Sequence, residues 1–251
     1  MPGMFPSDIH CIHFDELDST NSYAMEHLGE LEHHSLIISD VQNAGRGRLE
    51  RSWDSSVRGN LYMSLVEKRL PEDISPANLT QLMAVAVRAA AVGHGYDLRI
   101  KWPNDLMLDG GKAGGILSET RFRQSGFTGM VIGVGVNISA VPGLDGNPLY
   151  PPVCFRSYAA QAELPAPPSR DAFAADILNE YLQRYPNFLH RGFISIGDEY
   201  RSALSDYRRP VFIEADGFSQ EHTFLGINDK GEIIVRTPAG AELCIQAGDV
   251  R

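Results

Sequence analysis

The stretch LRIKWPNDLMLDGGKAGGILSETRFRQSGFTGMVIGVGVNI, from Leu98 to Ile138, decides the fold class. It divides into four strand-like runs: Leu98–Trp102, Leu106–Leu108, Ala113–Arg123 and Gly126–Val136. Arg123 to Gly126 reads as a hairpin turn. Nothing between the runs is long enough to be a helix. Strands and helices therefore do not alternate strictly, which predicts a mixed or antiparallel sheet with helices on one side.

Upstream, Ile9–Leu17 reads as a strand and Ser22–Leu31 as a helix, with Asp18-Ser19-Thr20-Asn21 offering caps between them. Leu36–Ser39 is a short apolar strand. Asn60–Glu67 alternates, with Leu61, Met63 and Leu65 on one face. Pro76–Val92 places Leu79, Leu82, Met83, Ala86 and Ala90 at helical spacing. Downstream, the proline-rich segment Val141–Ser169 reads as a connector with one short helix near Tyr158. Asp171–His190 and Ile196–Leu204 read as helices. From Arg209 short strands follow, with turns at Asp216-Gly217, Asp229-Lys230-Gly231 and Ala239-Gly240. That pattern suggests a small β-barrel or sandwich.

The 251 residues suffice for one large domain and a small appendage. Hydrophobic residues make up 43% and charged residues 22%, enough for a sizeable core. A net charge of -10 repels phosphodiester backbones and argues against bulk nucleic-acid binding. The longest apolar run, Leu82–Val92, is broken by Arg88 and is too short to span a bilayer. The first ten residues lack the basic and apolar regions of a signal peptide. Cys11, Cys154 and Cys244 form no metal spacing and no disulfide framework, so reduced cytoplasmic thiols are the plain reading.

Four clusters carry chemistry. Gln42 to Trp53 places Arg46, Arg48 and Arg51 among Gly45 and Gly47. Arginine presents a planar fork to carboxylates and phosphates, and glycine lets backbone approach an anion. Alone, such a loop reads equally well as a solvated basic segment. Inside an acidic domain, concentrated positive charge calls for a local anion. Lys101-Trp102-Pro103-Asn104-Asp105 is followed by Lys112 beside Gly114 and Gly115. An isolated lysine there would be a surface charge; two lysines in this joint spacing are far less expected by chance. Gly133 and Gly135 precede Asn137 inside a strand, where glycine weakens the strand unless something approaches closely. Ser19, Thr20 and Asn21 suit a helix N-cap, which also offers N–H groups to a polar ligand atom.

Taken together and in this order, these segments resemble the biotin protein ligases. The family patterns are (D/E)STN, here Asp18–Asn21; QxxGRGRxxRxW, here Gln42–Trp53; KWPND, here Lys101–Asp105; KxxGIL, here Lys112–Leu117; and GxGxN, here Gly133–Asn137. The resemblance implies an α+β catalytic domain over 1–205, similar to class II aminoacyl-tRNA synthetases, with a mixed sheet and flanking helices. It implies a small SH3-like β-barrel over 206–251. Biotin and ATP with Mg²⁺ would give biotinyl-5′-AMP and pyrophosphate. A lysine of a biotin carboxyl carrier protein would then attack and release AMP.

The implied roles follow residue by residue. Ser19, Thr20, Asn21 and Gln42 would line the biotin site, with Thr20 and Gln42 near the ureido ring. Gly45, Gly47, Gly115, Ile116, Leu117, Gly133 and Gly135 would complete it, with Gly115 and Gly133 letting backbone approach biotin. Arg46 and Arg48 would close over carboxylate and phosphates, and Arg51 would meet the phosphates. Trp53 would pack beside the nucleotide and Asn137 would contact adenine. Lys112 would bridge the biotin carboxylate and the α-phosphate. Lys101 joins the catalytic group, and Asp105 would orient or deprotonate the carrier lysine. The metal ligands are open, and so is a homodimer.

Two departures stand out. Glu50 replaces a frequent family glycine before Arg51, where it can pair with Arg48 or Arg51 in an empty loop. The Ser-Thr-Asn segment also starts by residue 19, which leaves no room before it for the DNA-binding module of larger members. A ligase with no DNA or membrane role is expected. A lipoate–protein ligase and a non-catalytic biotin sensor are the competing readings.

Overall fold

The computed structural model describes all residues except 1–3, 50, 125, 142, 144–149, 206–209, 216–217, 247 and 251. In chain order the elements begin with β1 (His10–Phe14), α1 (Thr20–Glu26), β2 (Ser35–Ser39), β3 (Leu61–Glu67) and α2 (Pro76–Gly93). Four strands follow in series: β4 (Arg99–Lys101), β5 (Asp105–Leu108), β6 (Gly111–Arg123) and β7 (Gly126–Val136). Then come α3 (Phe155–Gln161), α4 (Arg170–Arg191) and α5 (Gly197–Ala203). The chain ends in β8 (Pro210–Ala215), β9 (Phe218–Ile227), β10 (Ile233–Arg236), β11 (Glu242–Ile245) and β12 (Asp249–Val250).

Seven strands form one mixed sheet in the order β1-β2-β3-β7-β6-β5-β4. Only β1 and β2 run parallel; every other neighbouring pair is antiparallel. The serial strands from Leu98 onward thus make four of the seven strands, as their lack of intervening helices predicts.

The helices do not all lie on one side. Alternation sends Leu36, Ile38, Met63, Leu65 and Ile132 to the face under α2 and α4. Ile37, Val66 and Val131 point the other way, against Ala24 and Leu28 around α1. A strand buried on both faces needs cover on both, and every residue of β2 is buried. That run was too short and too uniformly apolar to show two faces in the sequence.

Helix α1 is also shifted from its expected span. Ser19 is its N-cap and accepts from Ser22 N at 3.3 Å, so Thr20 and Asn21 lie in the first turn. The helix stops at His27, and turns run on to Leu31. Strand β1 ends at Phe14, three residues early, and Leu17 instead bridges Gln42. The short helix expected near Tyr158 is α3.

The C-terminal strands form an antiparallel five-stranded sheet, β11-β10-β9-β8-β12. Its β9–β10 turn is clamped to the large domain. Gln81 Nε2 donates to Gly231 O at 2.7 Å, and Asn78 Nδ2 donates to Lys230 O at 2.9 Å. Gly231 has φ +80, and a Cβ there would stand 2.3 Å from Gln81 Oε1, so only glycine fits. The expected boundary after residue 205 and the Asp216-Gly217 turn fall at or within residues outside those described, as does Glu50. Among the described residues no helix is long and apolar enough to cross a membrane.

Candidate active site

Lys112 reaches the site through an irregular strand. β5 and β6 pair Asp105 with Gly115 and Leu106 with Gly114, then Met107 with Lys112. Ala113 is therefore an extra residue, a β-bulge. An extra residue inverts the alternation of faces beyond it. Lys112 thus shares a face with Asp105 and Gly115. Lys112 Nζ lies 2.5 Å from Asp105 Oδ1. Its Cε is 3.8 Å from where a Cβ on Gly115 would stand. Its backbone is fixed by the segment before α3: Lys112 N donates to Pro151 O at 2.8 Å, and Val153 N donates to Lys112 O at 3.1 Å.

Lys101, paired with Asp105 across β4–β5, donates Nζ to Asp105 Oδ2 at 3.0 Å. One carboxylate is thus held by two ammonium groups. Burial alone raises the Asp105 pKa, but Lys112 and Lys101 outweigh it and hold the group below the ordinary carboxylate range. Asp105 is ionised at neutral pH and is a weak base in this arrangement. The lysines also lie against rings, Lys101 at 5.2 Å from Tyr150 and Lys112 at 5.4 Å from Trp53.

The first turn of α1 builds one wall. Thr20 N and Oγ1 both donate to Gln42 Oε1, at 2.8 and 3.1 Å. Gln42 Nε2 donates to Ser55 Oγ at 2.8 Å. Ser64 Oγ lies 2.7 Å from both Thr20 Oγ1 and Asn21 Oδ1. Asn21 Nδ2 donates to Leu117 O and to Glu119 Oε2, each at 3.0 Å. The close approach required by the strand glycines comes from the protein's own side chains. A Cβ on Gly133 would stand 2.1 Å from Asn21 Oδ1, and one on Gly135 would stand 2.7 Å from Trp53 Nε1. Gly115 is different, since a Cβ there meets nothing nearer than 3.7 Å.

The arginine loop folds back on itself through bridges between Gln42 and Ser55 and between Arg46 and Ser52. Gly45 is tightly enclosed; a Cβ there would stand 2.3 Å from Trp53 O. Arg46 Nη2 donates to Glu119 Oε2 at 2.5 Å. Arg48 Nη1 donates to Asn104 Oδ1 at 3.2 Å, and its Nη2 to Gly248 O at 3.0 Å. The loop therefore touches β6, the Lys101–Asp105 turn and the C-terminal sheet. Arg51 is exposed at its tip.

Asn137 stands at the far end, with 1% of its surface exposed. Its Nδ2 donates to Val153 O at 3.3 Å, while its Oδ1 has no partner among the described residues. A buried acceptor without a donor is costly and marks a place for one. The indole Nε1 of Trp53 is likewise buried without a partner.

The α1 wall, the arginine loop, the two lysines with Asp105, the strand glycines and Asn137 line one cavity of about 1050 Å³. Every site residue expected from the sequence is on its wall, from Ser19 to Asn137. The volume exceeds what one small ligand needs and suits two adjoining ones. Sequence reasoning missed Ser64, Asn104 and Glu119 as partners. Ser64 was the one polar residue inside the apolar run of β3, and Glu119 follows Gly115 and Leu117 at period 2. Both signals were present.

The profile described as Biotin/lipoate A/B protein ligase family matches residues 13–137. A biotin–[acetyl-CoA-carboxylase] ligase of Paracoccus denitrificans is 32% identical over 240 residues, covering 93% of this chain and 96% of that protein. A bifunctional ligase/repressor BirA of Bacillus subtilis is 30% identical over 237 residues, covering 92% of this chain and 70% of that protein. A biotin protein ligase from Aquifex aeolicus, solved in complex with biotin and ATP, superposes with a TM-score of 0.78 at 20% identity. It covers 96% of this chain and 97% of that one, and it establishes likeness of fold.

Proposed function

The chain belongs to the biotin protein ligases of the biotin/lipoate ligase family, and from that premise we propose that it joins biotin to a lysine of a biotin carboxyl carrier protein through biotinyl-5′-AMP. The observation that carries this reading is the bulge that turns Lys112 into the same cavity as the arginine loop and the α1 wall. Adenylation brings a carboxylate against a triphosphate, and fixed cations must offset the repulsion.

In the first step a biotin carboxylate oxygen bonds to the α-phosphorus of ATP, and pyrophosphate leaves. Ser19, Thr20, Asn21 and Gln42 hold the ureido end, over a floor formed by Gly115, Ile116, Leu117, Gly133 and Gly135. Lys112 spans carboxylate and α-phosphate. Arg46, Gly47 and Arg48 close above them, with Gly45 as the tight turn, and Arg51 meets the phosphates. Trp53 covers the nucleotide end. The unpartnered Oδ1 of Asn137 supports a contact with the adenine amino group, which is a donor.

In the second step the carrier lysine nitrogen bonds to the acyl carbon and AMP leaves. Asp105 orients the incoming ammonium and accepts its proton, which frees the amine to attack. When Lys112 moves to the phosphate, Asp105 loses one of its two cations and its pKa rises. Its basicity therefore increases when the adenylate is in place, with Lys101 retaining the carboxylate's position. Mg²⁺ would arrive with ATP. Among the cavity carboxylates Asp105 is occupied by two lysines and Asp54 by Ser56. These residues do not form a dedicated cage for the ion.

The large sheet is read as class II synthetase-like over 1–205, and the small sheet over 206–251 as an SH3-like module that supports the arginine loop. Biotin-dependent ATP–pyrophosphate exchange, with lipoate as comparison, tests the function. Exchange with biotin alone is expected. Exchange with lipoate alone would transfer the activity to the sister ligases. Biotin binding without exchange would leave a sensor.

A further inference from the structure

Away from the cavity, the end of β3 buries a carboxylate among aromatic groups. Glu67 has no exposed side-chain surface. Tyr181 OH donates to its Oε2 at 2.8 Å, and Tyr185 OH donates to its Oε1 at 2.7 Å. The Arg69 amide reaches Oε1 at 3.4 Å. Among the described residues no lysine or arginine side chain pairs with it. Two imidazoles stand on its remaining side. His33 Nδ1 is 2.8 Å from Oε1, and His34 Nε2 is 3.5 Å from Oε2.

Hydrogen bonding does not complete this arrangement. His34 is buried, and its Nε2 has no hydrogen-bond partner despite lying beside Oε2. His33 Nδ1 lies within 3.3 Å of the Lys68 amide, which donates to it. A ring nitrogen that accepts that bond carries a lone pair, which a cation shared with the carboxylate would use. The two rings stack with centroids 3.7 Å apart, which disfavours two positive imidazoliums side by side.

We propose that His33 Nδ1, His34 Nε2 and a carboxylate oxygen of Glu67 form a structural site for one divalent transition ion of the zinc class. The donor atoms all lie within 4.8 Å of one another. Bonds of about 2.1 Å at tetrahedral angles place donors roughly 3.4 Å apart, and the two imidazole-to-carboxylate approaches, 2.8 and 3.5 Å, lie on either side of that value. Neutral imidazole and carboxylate suit that ion class. Tyr181 and Tyr185 take the outward lone pairs of Glu67 and orient it, as outer partners of ligating carboxylates do. The ion would neutralise a buried anion and fasten the turn before β2 and the end of β3 to α4. His33, with 16% of its side chain exposed, provides the entry path.

The test uses the full chain, stripped with chelator and titrated with Zn²⁺ against a chromophoric zinc indicator. One equivalent is expected to bind and to raise the melting temperature. His33→Gln and His34→Gln should each weaken binding by more than about tenfold, the scale set by losing even an outer partner. Zinc-edge absorption of the wild-type protein should show only nitrogen and oxygen ligands, a readout that survives if a variant fails to fold. Sulfur in that shell would place the ion on a cysteine and overturn the site. So would no binding, or binding that both folded variants retain.

Discussion

Lys112 Nζ and Asp105 Oδ1 lie 2.5 Å apart because β6 carries one residue more than β5 can match. Without Ala113 as a bulge, Lys112 would face the α2 side of the sheet. Lys112→Ala should therefore lower the rate of biotin-dependent pyrophosphate exchange by roughly 10²- to 10³-fold, the effect of removing one preorganised charge-stabilising donor. Biotin affinity should change less. Exchange at the wild-type rate would remove Lys112 from the adenylation step.

Asp105 gives the site a pH signature. Its folded pKa lies below the ordinary 3.8, because Lys112 and Lys101 overcome the effect of burial. A depressed carboxyl pKa contributes stability above the unfolded value, and that contribution is lost as pH falls through the folded value. Asp105→Asn should be less stable than wild type at neutral pH, since it leaves Lys101 buried without its anion. The gap in urea midpoint should stay constant down to the ordinary carboxylate pKa and then close with further acidification. A gap unchanged at the lowest pH where both proteins fold would show that the pair does not control it.

The glycines separate into two kinds. Gly133→Ala drives a Cβ into Asn21 Oδ1, inside a network that also holds Ser64 and Glu119. Overpacking of this kind costs about 1–3 kcal/mol. It should lower the melting temperature and weaken biotin binding together. Gly115→Ala meets only ordinary contacts, so its stability should stay near wild type. Equal losses of stability for the two variants, measured by denaturant titration, would contradict this difference.

These cases show what sequence could supply. Motif residues from Ser19 to Asn137 could be grouped because residue type and spacing survive in a linear string. The four serial strands could be read because turn residues punctuate them. The bulge at Ala113 could not, since Lys-Ala-Gly-Gly has no alternation to interrupt. Nor could the second face of β2, where Leu36, Ile37 and Ile38 follow one another without a polar residue between them. The close partners of Gly133 and Gly135 were invisible because Asn21 and Trp53 come from distant segments. The contact between Arg48 and Gly248 spans 200 positions and follows from where the small sheet docks.

That last contact yields the final prediction. We expect the arginine loop to act as a lid over the adenylate, with Arg48 as its latch. Arg48 ties the loop to Asn104 in the Lys101–Asp105 turn and to the Gly248 carbonyl of the small sheet. Arg48→Ala removes both ties and one cation from the cavity. The adenylate should then escape faster, because an ordered lid excludes water and retains the intermediate. Release can be followed by chasing labelled biotinyl-5′-AMP with excess unlabelled biotin and ATP. Gln81→Ala supplies the control for distance. It loosens the Gly231 clamp without touching the cavity, so faster release in that variant would show that the docked sheet acts through the loop. If Arg48→Ala holds the adenylate as long as wild type, Arg48 is not the latch, whatever Gln81→Ala does.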